Sequence, residues 1–450
     1  MAATYRSSLQ LGAHFYRVET LFTSGSKLGK SSNYAGRSGC GIWESMEGRP
    51  SEREHQFKHM LDAPLNAHLS ELRHWFHQHP ELSFQEAETA KRIIAELESL
   101  GFRCEYAGVG HAVIAYINGK DPGLPAVALR AEMDALPGKE STGASYASGN
   151  AGAMHACGHC SHMAMLLGAA HLFSRNQPPG PVRLVFQPAE EKGGGARVAI
   201  KDGALDDVAM IFAVHVTHEY ETGTIMIRDG SVTAQSDGFL IRIRGKGGHG
   251  ARPHEAVDAV VISGFLITAL QTLVSREINP LFPSVVTIGS VHSGSAANVI
   301  AEEAELRGSF RTSLPEVRKH LHHGLRRMVS AVAELHNAAI DIEISEGYPP
   351  VINEPVSTQI ARKAAVDIVG ANKVVAAEHP SMGSEDFSFY LQKTPGCFVR
   401  LGARKADWIA VPLHSPAFDI DERVLAVGTK FFDRVARVGC TWHEDGSDAV

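Results

Sequence analysis

Arg183-Leu-Val-Phe-Gln-Pro-Ala-Glu-Glu191 is a strand-like run that passes straight into a proline and two adjacent acids. Three other short apolar runs accompany it: Ala112 to Ile117, Ala126 to Leu129 and Met210 to Val214. A helical stretch from His162 to Phe173 lies among them. Strands that alternate with helices predict an α/β domain with a largely parallel sheet. Upstream, two helices are expected, over Leu65 to His77 and Gln85 to Leu100. The second carries Ala90, Ile93, Ile94, Leu97 and Leu100 on one face and is stopped by Gly101.

The texture changes near Asp237. Phe239 to Arg244 alternates like a strand and ends in Gly245-Lys-Gly-Gly-His-Gly250. A long helix (Ala256 to Arg276), two strands (Ser284 to Val291, Ala304 to Phe310), a helix (Pro315 to Leu335) and a strand (Ala339 to Ile344) follow. This β-α-β-β-α-β order predicts a ferredoxin-like α+β satellite inserted into the α/β domain. The expected division is therefore residues 56–236 with 346–440 for the larger domain and 237–345 for the insert. Residues 1–55 are rich in Ser, Gly and Arg and poor in acids, which reads as a poorly ordered tail or an organellar targeting segment, without the apolar core of a secretory signal.

Composition narrows the function. The chain of 450 residues is 44% apolar and 21% charged, ordinary for a globular protein. A net charge of -7 argues against a nucleic-acid partner, which calls for a basic patch. The longest apolar-rich stretch, Ala259 to Val274, is interrupted by Ser263, Gly264, Thr268, Gln271 and Thr272, so it reads as a buried helix and no membrane partner is expected. Six cysteines scattered over this length do not make a disulfide scaffold and fit a reducing, cytoplasmic setting.

Histidine is the unusual count, at 24. The densest cluster is Met154-His-Ala-Cys-Gly-His-Cys-Ser-His162. By itself it admits a redox Cys-x-x-Cys pair (Cys157, Cys160), half of a structural zinc site, a catalytic metal site on Cys157 and His159, or a buried turn of hydrogen-bonded histidines. Other strand ends favour the catalytic reading, because sites in open α/β sheets form beyond the carboxyl ends of strands. Glu190 and Glu191 follow one strand and, as neighbours on extended backbone, point opposite ways. His215 follows the run from Met210. Asp134 follows the run from Ala126. His414 sits between two fixing prolines in Pro412-Leu-His-Ser-Pro416.

With those residues in view, the sequence resembles the two-metal aminoacylase and carboxypeptidase class of metallopeptidases, peptidase family M20. Within it, the likeness is to the amidohydrolase branch of hippurate hydrolases, N-acyl-amino-acid amidohydrolases and auxin-conjugate hydrolases. The motifs are His77-Gln-His-Pro-Glu81, Arg130-Ala-Glu-Met-Asp-Ala-Leu-Pro137, Met154-His-Ala-Cys-Gly-His159, Phe186-Gln-Pro-Ala-Glu-Glu191, Gly247-Gly-His249 with Pro253-His254, Ala297-Asn-Val-Ile300, Met382-Gly-Ser-Glu-Asp-Phe387 and Leu413-His414, in family order from about residue 65 to 430.

The resemblance implies metal-dependent hydrolysis of N-acyl amino acids or similar small amides, with a dipeptidase or a metal-binding protein without catalysis as the alternatives. It implies two divalent ions, zinc or manganese first and cobalt or nickel next, held by Cys157, His159, Glu191, His215 and His414. Such ions acidify a shared water and polarise the amide carbonyl. Glu190 matches the general base that moves the water's proton to the leaving nitrogen. His249 matches a histidine that stabilises the oxyanion in a partner subunit's site, which implies a homodimer through the satellite. Asn298 and Arg311 match groups that hold the substrate carboxylate. His77 and His79, before Pro80 at a helix end, read as structural. One position departs: the branch carries Asp after the matching histidine, and here it is Cys160, which is expected to weaken the ligand shell, alter metal preference or add a thiolate.

Overall fold

Helix α1 (Ala63–Gln78) starts where the Asp62 carboxylate accepts the Leu65 amide and Pro64 occupies the first turn. The structure, a computed structural model, describes residues 60–442, so the reading of residues 1–55 lies outside the described residues. Helix α2 (Ala87–Ser99) buries Ala90, Ile93 and Leu97 along one stripe. The chain then runs through β1 (Arg103–Tyr106), β2 (Val113–Ile117), β3 (Ala126–Glu132), α3 (His159–Arg175), β4 (Val182–Gln187), α4 (Gly195–Lys201), β5 (Val208–Glu221) and β6 (Ile225–Met226). Next come β7 (Gln235–Arg244), α5 (Ala259–Glu277), β8 (Ser284–Ser293), β9 (Glu303–Thr312), α6 (Pro315–His336) and β10 (Ala339–Glu346). The last elements are α7 (Pro355–Val369), β11 (Val374–Val375), β12 (Gly396–Arg404) and α8 (Arg423–Cys440).

Two sheets result. The larger has the order β1-β2-β4-β3-β5-β12-β6-β11. Its centre, β4, β3, β5 and β12, is parallel, and its flanks include antiparallel pairs at β1/β2, β2/β4 and β12/β6. Helix α3 is buried on every side from His159 through Ala170, which is how a helix in the middle of a core must look. It packs against α1 and α8 closely enough that a Cβ on Gly168 would come within 2.4 Å of Thr429 Oγ1.

The smaller sheet, β8-β9-β7-β10, is antiparallel throughout. With α5 after its first strand and α6 after its third, it is ferredoxin-like. Along β7 every second residue is buried, and Phe239, Ile241 and Ile243 share a core with Leu266 and Leu270 of α5 and Leu321 and Leu325 of α6.

Two sequence expectations change. Helix α5 is buried on one face only: Ile262, Leu266, Leu270 and Leu273 are inside, whereas Val260, Val261 and Phe265 are about half exposed. It has the length and apolar content of a span by composition alone, yet it lies on a sheet as an amphipathic helix. Strand β5 also runs well past Val214, to Glu221, so His215 stands within the strand and not after its end. The continuing ladder with β12, from His215 opposite Arg400 to Glu221 opposite Arg404, keeps the polar segment His-Val-Thr-His-Glu-Tyr-Glu extended.

Candidate metal centre

Cys157, Gly158 and His159 form the turn into α3. Gly158 holds φ +86°, and a Cβ there would lie 2.4 Å from Val216 Cγ2, so only glycine lets the turn press against β5. That contact brings Cys157 Sγ to 3.4 Å from His215 Nε2. From the other side, the Pro188–Glu191 turn after β4 presents Glu191, whose Oε1 is 4.0 Å from His159 Nε2 and 3.3 Å from His414 Nε2. Two non-glycine residues in this region have left-handed backbone, Ala189 (φ 50°) and His414 (φ 68°). Such conformations are held only where the surroundings enforce them, and they gather at functional sites.

The donors fall into two overlapping triads. Cys157, His159 and His215 have donor atoms mutually within 4.8 Å, and so do Cys157, Glu191 and His414. Cys157 belongs to both. The five residues singled out from the sequence are thus brought together, with a thiol where two ions would share a ligand.

The outer hydrogen bonds fit cation binding. His159 Nδ1 donates to the Asp134 carbonyl at 2.8 Å, and His215 Nδ1 donates to the Val216 carbonyl at 2.8 Å. With Nδ1 engaged in this way, each ring presents Nε2 inward as the nitrogen available to a cation. His159 Nε2 and Glu191 Oε1 are buried without any hydrogen-bond partner, an arrangement that costs free energy unless something positive completes it. Burial, then Glu191 and Glu190, push the Cys157 thiol well above its ordinary range, so the thiolate needs a cation beside it. Burial holds His215 neutral. Burial also opposes charge on His159, but Asp134, Glu132 and Glu191 outweigh it and lift that imidazole to about 10.

Glu190 lies beside the donors, with a carboxylate oxygen within 4.8 Å of those of His159 and Glu191. Its placement depends on Asp134, whose two oxygens accept the Glu190 and Glu191 amides at 3.1 and 3.0 Å and the Ser83 hydroxyl at 2.7 Å. Tyr348 Oη donates to the Glu190 carbonyl at 2.8 Å. Burial, followed by Glu385, Asp386, Glu191 and Asp134, pushes the Glu190 carboxyl well above the usual carboxylate range.

Behind Glu190 is a buried charge network that carried no role in the sequence reading. Arg130 is fully buried and binds Glu132, Glu385 (3.0 Å), Asp386 (2.8 Å) and Gln187 (2.8 Å). Glu132 accepts from His162 Nδ1 at 2.8 Å, and His162 Nε2 accepts the Val216 amide at 3.0 Å. The Asp386 amide donates to Glu190 Oε1 at 3.3 Å. Arg130 and Glu132 sit inside one quoted motif and Glu385 and Asp386 in another. The available signal was that charged residues recur inside these two motif segments.

The remaining candidates divide. Arg311, whose Nη1 donates to the Met382 carbonyl at 3.0 Å, lines the same cavity of about 740 Å³ as Cys157, Glu190, Glu191, His215 and His414. Arg400 lines it as well. His249 and Asn298 do not. Both are exposed on the satellite, on adjoining segments where His249 pairs with Val299 and the Gly250 amide donates to the Asn298 carbonyl at 2.8 Å. Cys160 is turned toward α1, with Sγ 3.5 Å from His77 Nδ1, while His77 Nε2 faces Glu140 at 3.1 Å. His79 Nδ1 donates to the Trp75 carbonyl.

A parallel-centred α/β sheet that gathers sulfur, imidazole and carboxylate donors into two linked triads, with a further carboxyl beside them, defines a two-metal hydrolase. Comparison with known proteins gives the family. Residues 128–438 match the model of Peptidase family M20/M25/M40. Thermostable carboxypeptidase 1 of Saccharolobus solfataricus is 39% identical over 367 residues, covering 80% of this chain and 92% of that protein. N-acetyl-L-cysteine deacetylase of Bacillus subtilis is 38% identical over 376 residues, covering 83% and 88%. The crystal structure of Bacillus subtilis YxeP, a dinuclear metal binding peptidase from the M20 family, superposes with a TM-score of 0.73 at 34% identity, covering 84% of this chain and 99% of that one. The chain belongs to peptidase family M20/M25/M40. It is a metal-dependent amidohydrolase that uses two divalent ions.

Proposed function

We propose that this enzyme cleaves the amide bond of N-acyl amino acids with Glu190 as general base and Cys157, His159, Glu191, His215 and His414 as the metal ligands. The observation that carries the reading is the pair of donor triads sharing Cys157 with the Glu190 carboxyl at their side. When bound, the two ions acidify the attacking water and polarise the scissile carbonyl. Glu190, buried and with a raised carboxyl, takes the water's proton and returns it to the leaving nitrogen. Asp134 fixes Glu190 and Glu191 through their amides, so the base and its neighbouring ligand keep one geometry. Arg311 supplies a planar fork for the free carboxylate of the amino acid. Peptide cleavage at a free carboxyl end is the second reading, favoured by the carboxypeptidase relative.

The thiolate and imidazoles suit zinc better than magnesium or calcium; manganese is the next candidate. A homodimer through the satellite accounts for two features. The outer face of α5 and the strand β8, at the edge of its sheet, expose Val260, Val261, Phe265, Val285 and Val291. His249 and Asn298 are exposed beside them, ready to complete a partner's site. Residues 237–345 form the inserted unit in this reading. The five cysteines of the described residues are all unpaired, which supports a reducing compartment such as the cytoplasm.

The test is a hydrolysis screen over N-acetyl, N-benzoyl and indole-acyl amino acids and dipeptides, with Zn, Mn, Co or Ni supplied. Wild type is expected to cleave acyl amino acids, and Cys157→Ser to lose bound metal and activity together. A Cys157→Ser enzyme with full metal content and full turnover would sink the ligand assignment.

A further inference from the structure

Three polar side chains from three helices meet at a place the hydrolytic reaction does not use. His68 comes from α1, Glu96 from α2 and His171 from α3. His171 is twelve residues along α3 from His159, a rise of about 18 Å at 1.5 Å per residue, so this cluster is remote from the two-ion centre. Glu96 Oε1 lies 2.6 Å from His68 Nε2 and 2.8 Å from His171 Nε2. The rings meet edge to face with centroids 5.1 Å apart, so both Nε2 atoms aim at one point. The three donor atoms are mutually within 4.8 Å. The second Glu96 oxygen is 3.5 Å from Arg92 Nη2, which orients the carboxylate and leaves Oε1 directed at the two rings.

Burial is graded across the cluster. The Glu96 side chain is 8% exposed, His171 16% and His68 31%. The carboxylate is therefore fixed, while the His68 side opens to water. His171 and His68 also hold the Glu96 carboxyl down at about 2, so it is ionised throughout the working range. In a hydrogen-bonded cluster both rings must direct a proton at the same oxygen. With those protons displaced, the same three atoms are a two-imidazole, one-carboxylate donor set. Bonds of about 2.0–2.2 Å at tetrahedral angles put ligand atoms about 3.3 Å apart, so the rings need to back away by roughly half an ångström.

We propose that His68, Glu96 and His171 form a peripheral site for one divalent transition-metal ion of the zinc class, with water in the open position on the His68 side. Two imidazoles exclude magnesium and calcium as preferred occupants. The ion clamps α1 and α2 to the C-terminal half of α3 and stabilises the fold by mass action.

The experiment is metal counting on the full-length holoenzyme dialysed in buffered zinc that saturates the catalytic pair. Wild type is expected to hold three zinc ions per chain. His68→Ala, His171→Ala and the isosteric Glu96→Gln are each expected to hold two, with kcat within about twofold of wild type, as for changes at distant independent sites. A wild type that stops at two, or variants that keep three, overturns the proposal. Cobalt titration of the wild type gives a readout that needs no variant. The third equivalent should add visible ligand-field absorption without adding to the thiolate-to-cobalt band set by Cys157. A titration that ends at two equivalents, or a third that strengthens the thiolate band, overturns it equally.

Discussion

Three of the five donors, Cys157, His159 and His215, and the satellite histidine stand at opposite extremes of burial, while His414 is itself half exposed. Cys157, His159 and His215 are inside, and the two rings are tied by Nδ1 to the Asp134 and Val216 carbonyls. His249 and Asn298 face solvent, and the His249 ring accepts the Ala251 amide two residues on. One group is completed by its own chain. The other is presented outward, beside apolar surface on Val260, Val261 and Phe265. The difference teaches where to cut: if the proposed dimer forms, changes at the sheet act within a subunit and changes on the satellite act between subunits.

The sharpest break is Glu190→Gln. The amide keeps the shape and loses the base, so kcat should fall by about 10²–10⁴-fold while two ions remain bound. Steady-state rates with metal analysis on the same sample check both halves. Full turnover would remove Glu190 from the reaction. His249→Ala comes next, with an expected loss of about 10²–10³-fold in kcat for an oxyanion donor. Mixing His249→Ala with Glu190→Gln subunits should restore part of the activity, because each mixed dimer then contains one intact composite site. No recovery on mixing, with dimers demonstrated, places the histidine within its own subunit.

A smaller effect is expected from Val261→Glu. A charge at a half-exposed position costs the monomer little, since surface changes usually stay within about 0.5 kcal/mol. It should instead split the dimer, seen by sedimentation, and lower kcat by no more than His249→Ala does. A monomeric variant with wild-type kcat would separate assembly from catalysis.

What could be read in the sequence follows the same division. The candidate donors could be picked out because sulfur, imidazole and carboxylate residues recur at strand-associated turns, and the family resemblance, not the spacing, joined them into one set. The β-α-β-β-α-β order of the satellite was legible because its strands alternate and its helices are long. His215 was legible as a donor but misplaced, since the polar half of β5 is held extended by pairing with β12 and not by its own composition. The Arg130 network was not legible. Arg130 and Asp386 are 256 residues apart, and nothing local shows that a charged residue will be wholly buried and neutralised by a distant one. The exposed face of α5 was hidden for the converse reason: an apolar helix that covers a sheet on one side and leaves apolar residues exposed on the other has the composition of a fully buried one.

Cys160 offers the finest cut, between the two sides of one turn. Cys157 and His159 face the metal donors, whereas Cys160 faces His77 on α1. Burial opposes charge on Cys160, but His77 and Arg73 outweigh it and favour the thiolate. Arg73, also buried, bonds Asp419 and Glu422 and has its Nε without a partner. A carboxylate at position 160, the group the family resemblance puts there, would answer those donors better than sulfur does. Cys160→Asp is therefore expected to raise the unfolding free energy by about 1.5–3 kcal/mol, the value of a hydrogen bond to a charged group. Because Cys160 meets the ligand set only through the backbone, kcat should change by less than the roughly tenfold that loss of a ligand-supporting group costs. Denaturant unfolding and steady-state kinetics on one preparation decide it. A tenfold or larger gain in metal affinity without a gain in stability would mean that residue 160 acts on the ligands after all, and that the two sides of the turn work as one.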